Sequence, residues 1–211
     1  MPISAAFFDF GGVILSSPFE AFNRYERDND VPTDFIRGVN ATNPNDNAWA
    51  KFERSEVSFD EFCDLFDAEC MAQGHAVPAR EVMPLLRGEI RPEMVEALRR
   101  CSERLVTACL TNNWVSFDSF PADGRADRRD DTLQLFDHVI ESSKVGVRKP
   151  DPRFYELSCE TAGVSPEEVV FLDDLGVNLK PAKAMGMTTI KVVDSAQAID
   201  ELEHVVGFSL R

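Results

Sequence analysis

The run Ala5-Ala6-Phe7-Phe8-Asp9-Phe10-Gly11-Gly12-Val13 decides how the rest of the chain is read. Four consecutive apolar residues end at an aspartate, and a glycine pair follows. An unbroken apolar run of this length predicts a strand buried on both faces, as in a parallel sheet. Four more runs have the same form. Leu105–Leu110 ends at Thr111. Phe136–Ile140 is a short third strand. Val169–Leu172 ends at Asp173 and Asp174, and Thr188–Val193 is the fifth.

Helical patterns lie between these strands. Arg91–Glu103 carries Met94, Val95 and Leu98 at helical spacing, with Pro92 near its first turn. Pro152–Ala162 is stopped by Gly163, and Asn178–Met185 by Gly186. Ser165-Pro166-Glu167-Glu168 reads as an N-cap, a proline at N1 and two acids in a first helical turn. The alternation predicts an α/β fold built on a Rossmann-like doubly wound parallel sheet. Residues 17–89 interrupt it. They are too many for a crossover loop and lack strand signals, so they are expected to form a helical cap inserted after the first strand. Phe19, Phe22 and Tyr25 mark one of its helices. Phe59, Phe62, Leu65 and Phe66 mark another, begun by a capping box of Ser58 and Glu61. Residues 1–16 and 90–211 then make the core. Trp49 and Trp114 are read as packing residues and His138 as structural, with His75 in the cap near Gly74. The polar stretch Ser119–Asp131 is read as a solvated loop.

Composition excludes several classes. Acidic residues number 37 against 22 basic ones, a net charge of −15. That opposes a nucleic-acid coat or adhesion to an anionic membrane, both of which need clustered Lys and Arg. No apolar run approaches a membrane span of about 20 residues. The five cysteines, Cys63, Cys70, Cys101, Cys109 and Cys159, form no metal-ligand spacing. They predict reduced thiols and a cytoplasmic protein. The N-terminal run has no basic segment before Asp9 and does not read as a signal peptide. The sequon at Asn40-Ala41-Thr42 is therefore read as chance.

Four polar signals fall at strand ends or helix starts: Asp9 with Gly11-Gly12, Thr111-Asn112-Asn113, Lys149, and Asp173-Asp174. In a doubly wound sheet the carboxyl ends of the strands are where ligands bind, so these residues are expected to converge. Together they suit phosphoryl transfer. Asp9 can attack as a carboxylate. Crowded carboxylates need a cation, and hard oxygen ligands select Mg²⁺. Lys149 and the Thr111 hydroxyl are candidates to hold phosphoryl oxygens. Gly11 and Gly12 let backbone N–H groups approach an anion closely.

The same residues resemble the haloacid dehalogenase (HAD) superfamily of aspartate-nucleophile hydrolases. Its four motifs match in order: Phe8-Asp9-Phe10-Gly11-Gly12-Val13, Leu110-Thr111-Asn112, Lys149-Pro150-Asp151-Pro152 and Phe171-Leu172-Asp173-Asp174. Thr111–Trp114, Glu141–Gly146 and Phe171–Gly186 are similar to the subgroup that includes the phosphatase domain of soluble epoxide hydrolase. The resemblance implies a phosphatase on a small phosphomonoester, working through an aspartyl-phosphate. It implies Asp9 as nucleophile and metal ligand, with Lys149 completing the catalytic pair. The Gly11 carbonyl and Asp174 are further metal ligands, and Asp173 acts nearby or through water. Phe10, Gly11, Gly12, Thr111, Asn112 and Lys149 bind phosphate. One departure stands out. Most phosphatases of this superfamily carry an acid–base aspartate two residues after the nucleophile, and here that position is Gly11. Two other readings of the scaffold are a non-catalytic phosphate or metabolite binder and a carbon–halogen hydrolase.

Overall fold

A computed structural model describes residues 2–113 and 131–211. Trp114 and most of the polar stretch Ser119–Asp131 lie outside the described residues. Among the described residues five strands form one parallel sheet: β1 (Ala5–Phe8), β2 (Val106–Thr111), β3 (His138–Glu141), β4 (Val169–Asp173) and β5 (Thr188–Lys191). Their spatial order is β3-β2-β1-β4-β5. Chain progression reverses direction across β1, so the crevice between β1 and β4 is the topological switch point.

The apolar runs are continuous because helices cover both faces of the sheet. Alternate side chains of β1 enter different cores. Ala6 and Phe8 pack with α6 (Pro92–Ser102) and α10 (Ser195–Val206). Ala5 and Phe7 pack with α8 (Pro152–Ala162) and α9 (Gly176–Ala184). A short helix, α7 (Ser142–Val145), follows β3 directly.

Between β1 and α6 lie α1 (Phe19–Asp28), α2 (Phe35–Ala41), α3 (Ala48–Glu53), α4 (Phe59–Ala72) and α5 (Ala79–Val82). These helices share a third apolar cluster, drawn entirely from residues 22–83, centred on Phe52, Phe62 and Phe66. Phe62 stacks on Phe52 at 4.5 Å between ring centres and meets Trp49 edge-on at 4.8 Å. The capping box at the start of α4 is formed: Ser58 N–H donates to Glu61 at 2.8 Å and Glu61 N–H to Ser58 Oγ at 3.3 Å. His75 packs edge-on against Phe35. The chain enters and leaves this helical unit side by side. Leu15 bridges Ile90, and Ser16 N–H donates to Glu89 O at 2.8 Å.

Three of the expected elements that differ in extent do so for a visible reason. The third strand begins at His138 because Asp137 turns its carboxylate back to accept the Thr107 amide and hydroxyl. The fifth ends at Lys191, leaving Val193 exposed. Ser165–Glu168 makes its capping box but only a single 3₁₀ turn, since Val169 is already in β4. All five cysteines are buried free thiols. Among the described residues no helix is long and apolar enough to cross a membrane.

Phe62 is fully buried at the centre of the helical cluster. Phe62→Ala is expected to lower stability by about 3–5 kcal/mol in urea unfolding, the usual cost of such a core truncation. A loss under about 1 kcal/mol would contradict a packed core in this unit.

Candidate active site

The Asp9 amide donates to Leu172 O at 2.8 Å, so β1 hands its last hydrogen bond to β4 at the switch point. That places Asp9 beside the carboxyl end of β4. Phe8 pairs with Leu172 on one side and Cys109 on the other, so Thr111 and Asp173 stand in the same row of strand ends. Thr111 is half-buried there.

Lys149 enters this row from the loop before α8. Its ammonium lies 2.8 Å from Asp9 Oδ2 and 2.8 Å from Asp173 Oδ2, and the side chain is 1% exposed. Burial alone would push a lysine ammonium down. Asp173 and Asp9 together overcome that and raise it, so Lys149 is held charged. The Asn112 side chain fixes the lysine backbone from both sides. Its Oδ1 accepts Lys149 N–H at 2.9 Å, and its Nδ2 donates to Lys149 O at 3.0 Å.

Asp173 is saturated. Besides Lys149 it accepts the Leu175 amide at 2.8 Å and both of its oxygens accept Asn178 Nδ2, at 3.1 and 3.0 Å. Four contacts fill the roughly four lone-pair positions of a carboxylate. Asn178 is held in turn by Tyr155, whose hydroxyl donates to its carbonyl at 2.7 Å. Asp174 is freer, accepting Ser17 Oγ at 3.3 Å.

Gly12 explains the second glycine. Its φ is +73°, and any Cβ there would overlap the Asp174 carboxylate. Gly11 is different: φ is −69°, the residue is exposed, and a Cβ would meet nothing within 4 Å. The Phe10 side chain is core, while its amide donates to Asp9 Oδ1 at 2.7 Å. The residues brought into direct contact are therefore Asp9, Lys149, Asp173, Asp174, Gly12 and Asn112.

Oxygens of Asp9, Asp173 and Asp174 lie within 4.8 Å of one another. Three carboxylates against one ammonium leave two formal negative charges in a buried crevice. Burial pushes the Asp9 carboxyl well up; Lys149 pulls it back, and Asp173 and Asp174 push it further up. Burial, then Asp173, raise Asp174 to about 6, against Lys149 and the Ser17 hydrogen bond. An all-oxygen donor set carrying this surplus charge fits a hard divalent cation.

Four contributors escape sequence reading. Asn178 and Ser17 touch the carboxylates, and Ser142 and Glu53 touch the loops that carry the site. Asn178 carries one signal, as a polar residue at the start of the expected helix Asn178–Met185, five positions after Asp173. Arg148, beside Lys149, is 20% exposed and paired with Glu53 at 2.6 Å.

A family model described as haloacid dehalogenase-like hydrolase matches residues 3–186. The chain belongs to the haloacid dehalogenase-like hydrolases. It is 34% identical to mouse bifunctional epoxide hydrolase 2 over 98% of its own length, spanning 39% of that protein. It is 28% identical to a sesquiterpene phosphatase of Aspergillus oryzae, over 96% of both chains. An HAD-family enzyme of Bacteroides thetaiotaomicron, solved with magnesium and inorganic phosphate, superposes with a TM-score of 0.60 at 20% identity. That match covers 90% of this chain and 93% of the other, and carries the fold.

Two outcomes follow from the geometry. Gly12→Ala forces Asp174 aside and is expected to weaken whatever divalent-cation binding this donor set gives in calorimetry while the protein stays folded. Asp174 has a folded pKa above the ordinary 3.8, so the native state holds its proton longer than the unfolded chain. Stability from this group is lost as pH rises from about 4 through about 6. Asp174→Asn in chelator should therefore raise Tm at pH 8, by up to about 3 kcal/mol equivalent, and change little at pH 4.

Proposed function

We propose that this HAD-like hydrolase is a Mg²⁺-dependent phosphatase acting on a small organic phosphomonoester. One observation carries the reading: a buried lysine bridges two carboxylates at the switch point, with a third carboxylate beside them. The phosphatase relative and the magnesium- and phosphate-bound fold neighbour support it.

In this reading Asp9 is the nucleophile. Its carboxylate oxygen bonds to phosphorus as the P–O bond to the leaving group breaks, forming an aspartyl-phosphate. Water then attacks phosphorus, releasing inorganic phosphate and regenerating Asp9. Lys149 orients Asp9 and offers charge to the phosphoryl oxygens, with Thr111 and the Gly12 and Asn112 amides around them, while the Phe10 amide holds Asp9 Oδ1. Asp173 is a positioning residue, holding Lys149 in place. Asp9, Asp174 and the Gly11 carbonyl would hold Mg²⁺, with Asp173 behind them. The ion would neutralise the surplus charge that otherwise repels an anionic ester. Helices of residues 17–89 serve as a cap over the site, restricting water and selecting the leaving group. The carbon–halogen reading separates by its products: it predicts halide release that needs no Mg²⁺.

With Gly11 two residues after the nucleophile, no side chain at that position can protonate the leaving oxygen. Rate should then depend steeply on the leaving group.

Phosphate release from an activated aryl phosphate and a panel of alkyl and sugar phosphates tests the reading. Release is expected with Mg²⁺, lost to chelator and lost in Asp9→Asn. Absence of release from every ester would overturn it. The open space at Gly11 accommodates an acid, so Gly11→Asp is expected to speed alkyl esters by up to about 10²–10⁴. The activated aryl ester should change little.

A further inference from the structure

The helical unit is joined to the core covalently only at the adjacent segments around Leu15–Ser16 and Gly88–Ile90. Two neighbouring connections alone form a hinge. Its non-covalent seat includes a cluster at the end of α3. Glu53, the last residue of α3, places Oε2 2.6 Å from Arg148 Nε, and the two side chains are 14% and 20% exposed. The same guanidinium donates through Nη1 to Pro44 O at 2.9 Å. The Glu53 carbonyl accepts Ser142 Oγ at 2.7 Å, and Ser55 Oγ donates to Ser143 O at 3.2 Å.

The core side of this cluster is the site's own framework. Ser142 Oγ accepts the Asn113 amide at 3.0 Å. Ser143 donates to the Asn113 side chain, at 2.8 Å from its hydroxyl. Arg148 directly precedes Lys149, whose amide and carbonyl are held by Asn112. Lys149 is thus fixed from the core by Asn112 and its preceding residue is fixed from the helical unit. A planar, forked guanidinium suits this double duty, since it can pair with a carboxylate and a carbonyl together.

We propose that Glu53 is a positioning residue: through Arg148 it locks the loop that carries Lys149, so Lys149 is aligned only while the helical unit is seated. The catalytic half of this statement rests on the phosphatase reading above; the mechanical half does not. Unseating the unit withdraws Glu53, the Pro44 carbonyl and the Ser142 acceptor from the loop together. Lys149 then keeps Asn112, Asp9 and Asp173, but the residue before it, Arg148, loses its restraint. Alignment of the phosphate-binding charge and closure over the substrate become one event.

The test uses the full chain with Glu53→Gln, Arg148→Gln and the double variant, read by steady-state kinetics on an activated aryl phosphate and by amide hydrogen exchange. Each single variant is expected to lower kcat about 10- to 100-fold with KM changed less than about threefold. Exchange across 142–149 should rise while β1 and β4 stay protected. The double variant should be no worse than the poorer single one, because both remove the same contact. It also leaves no unpaired buried charge, so it carries the test if a single variant fails to fold. Wild-type kcat in the double variant, multiplicative losses, or a change confined to KM would overturn the proposal. If wild type itself releases no phosphate, the phosphatase reading fails. Hydrogen exchange then decides the lock alone: unchanged protection of 142–149 in the double variant overturns it, and raised protection loss upholds it.

Discussion

One buried ammonium shared by two carboxylates is the constraint on which the rest depends. Lys149 cannot sit dry without Asp9 and Asp173, and neither carboxylate can sit dry without Lys149. Removing one partner would leave a buried charge uncompensated. Much of the surrounding structure keeps this arrangement together. Asn112 sets the lysine backbone, Asn178 and the Leu175 amide fill Asp173, and Tyr155 holds Asn178 from below. The parallel sheet brings the carboxylates to one row, because β1 pairs with β4 in register to its last residue, Phe8 with Leu172, leaving Asp9 and Asp173 as the next residues of each.

The arrangement is balanced toward negative charge, and that bias is itself informative. A site meant to hold an anion directly would gather cations. This one gathers carboxylates around a single lysine, which suits a hard divalent ion. The bias also explains why Gly12 has no room for a side chain. Asp174 must come close to Asp9, and the turn after β1 is the ground it occupies.

Much of this was legible in residue order. Strand ends were readable because each apolar run stops at the polar residue that matters: Asp9, Thr111 and Asp173. Helix ends were readable where a cap is local, as at Ser58 with Glu61 and at Gly163 in its left-handed conformation. What escaped reading depends on distant pairing. Ser17 and Asp174 are 157 positions apart, and Glu53 and Ser142 are 89 apart. Nothing in the local pattern around Arg148 signals that a carboxylate from another unit neutralises it. The short helices α2, α3 and α5 were equally obscure, since four to seven residues show too little of a helical period. Their positions come from the aromatic cluster they enclose.

The side-by-side entry and exit of residues 17–89 have an evolutionary consequence. An insertion whose two ends emerge as neighbours imposes almost no distance requirement on what lies between them. With its own apolar centre, such a segment is free to diversify in length and shape while the strands that flank it stay in register. The two parts of one polypeptide can then change at different speeds: Lys149 ties the ends of β1 and β4 together through Asp9 and Asp173, while the inserted helices answer chiefly to their own apolar centre.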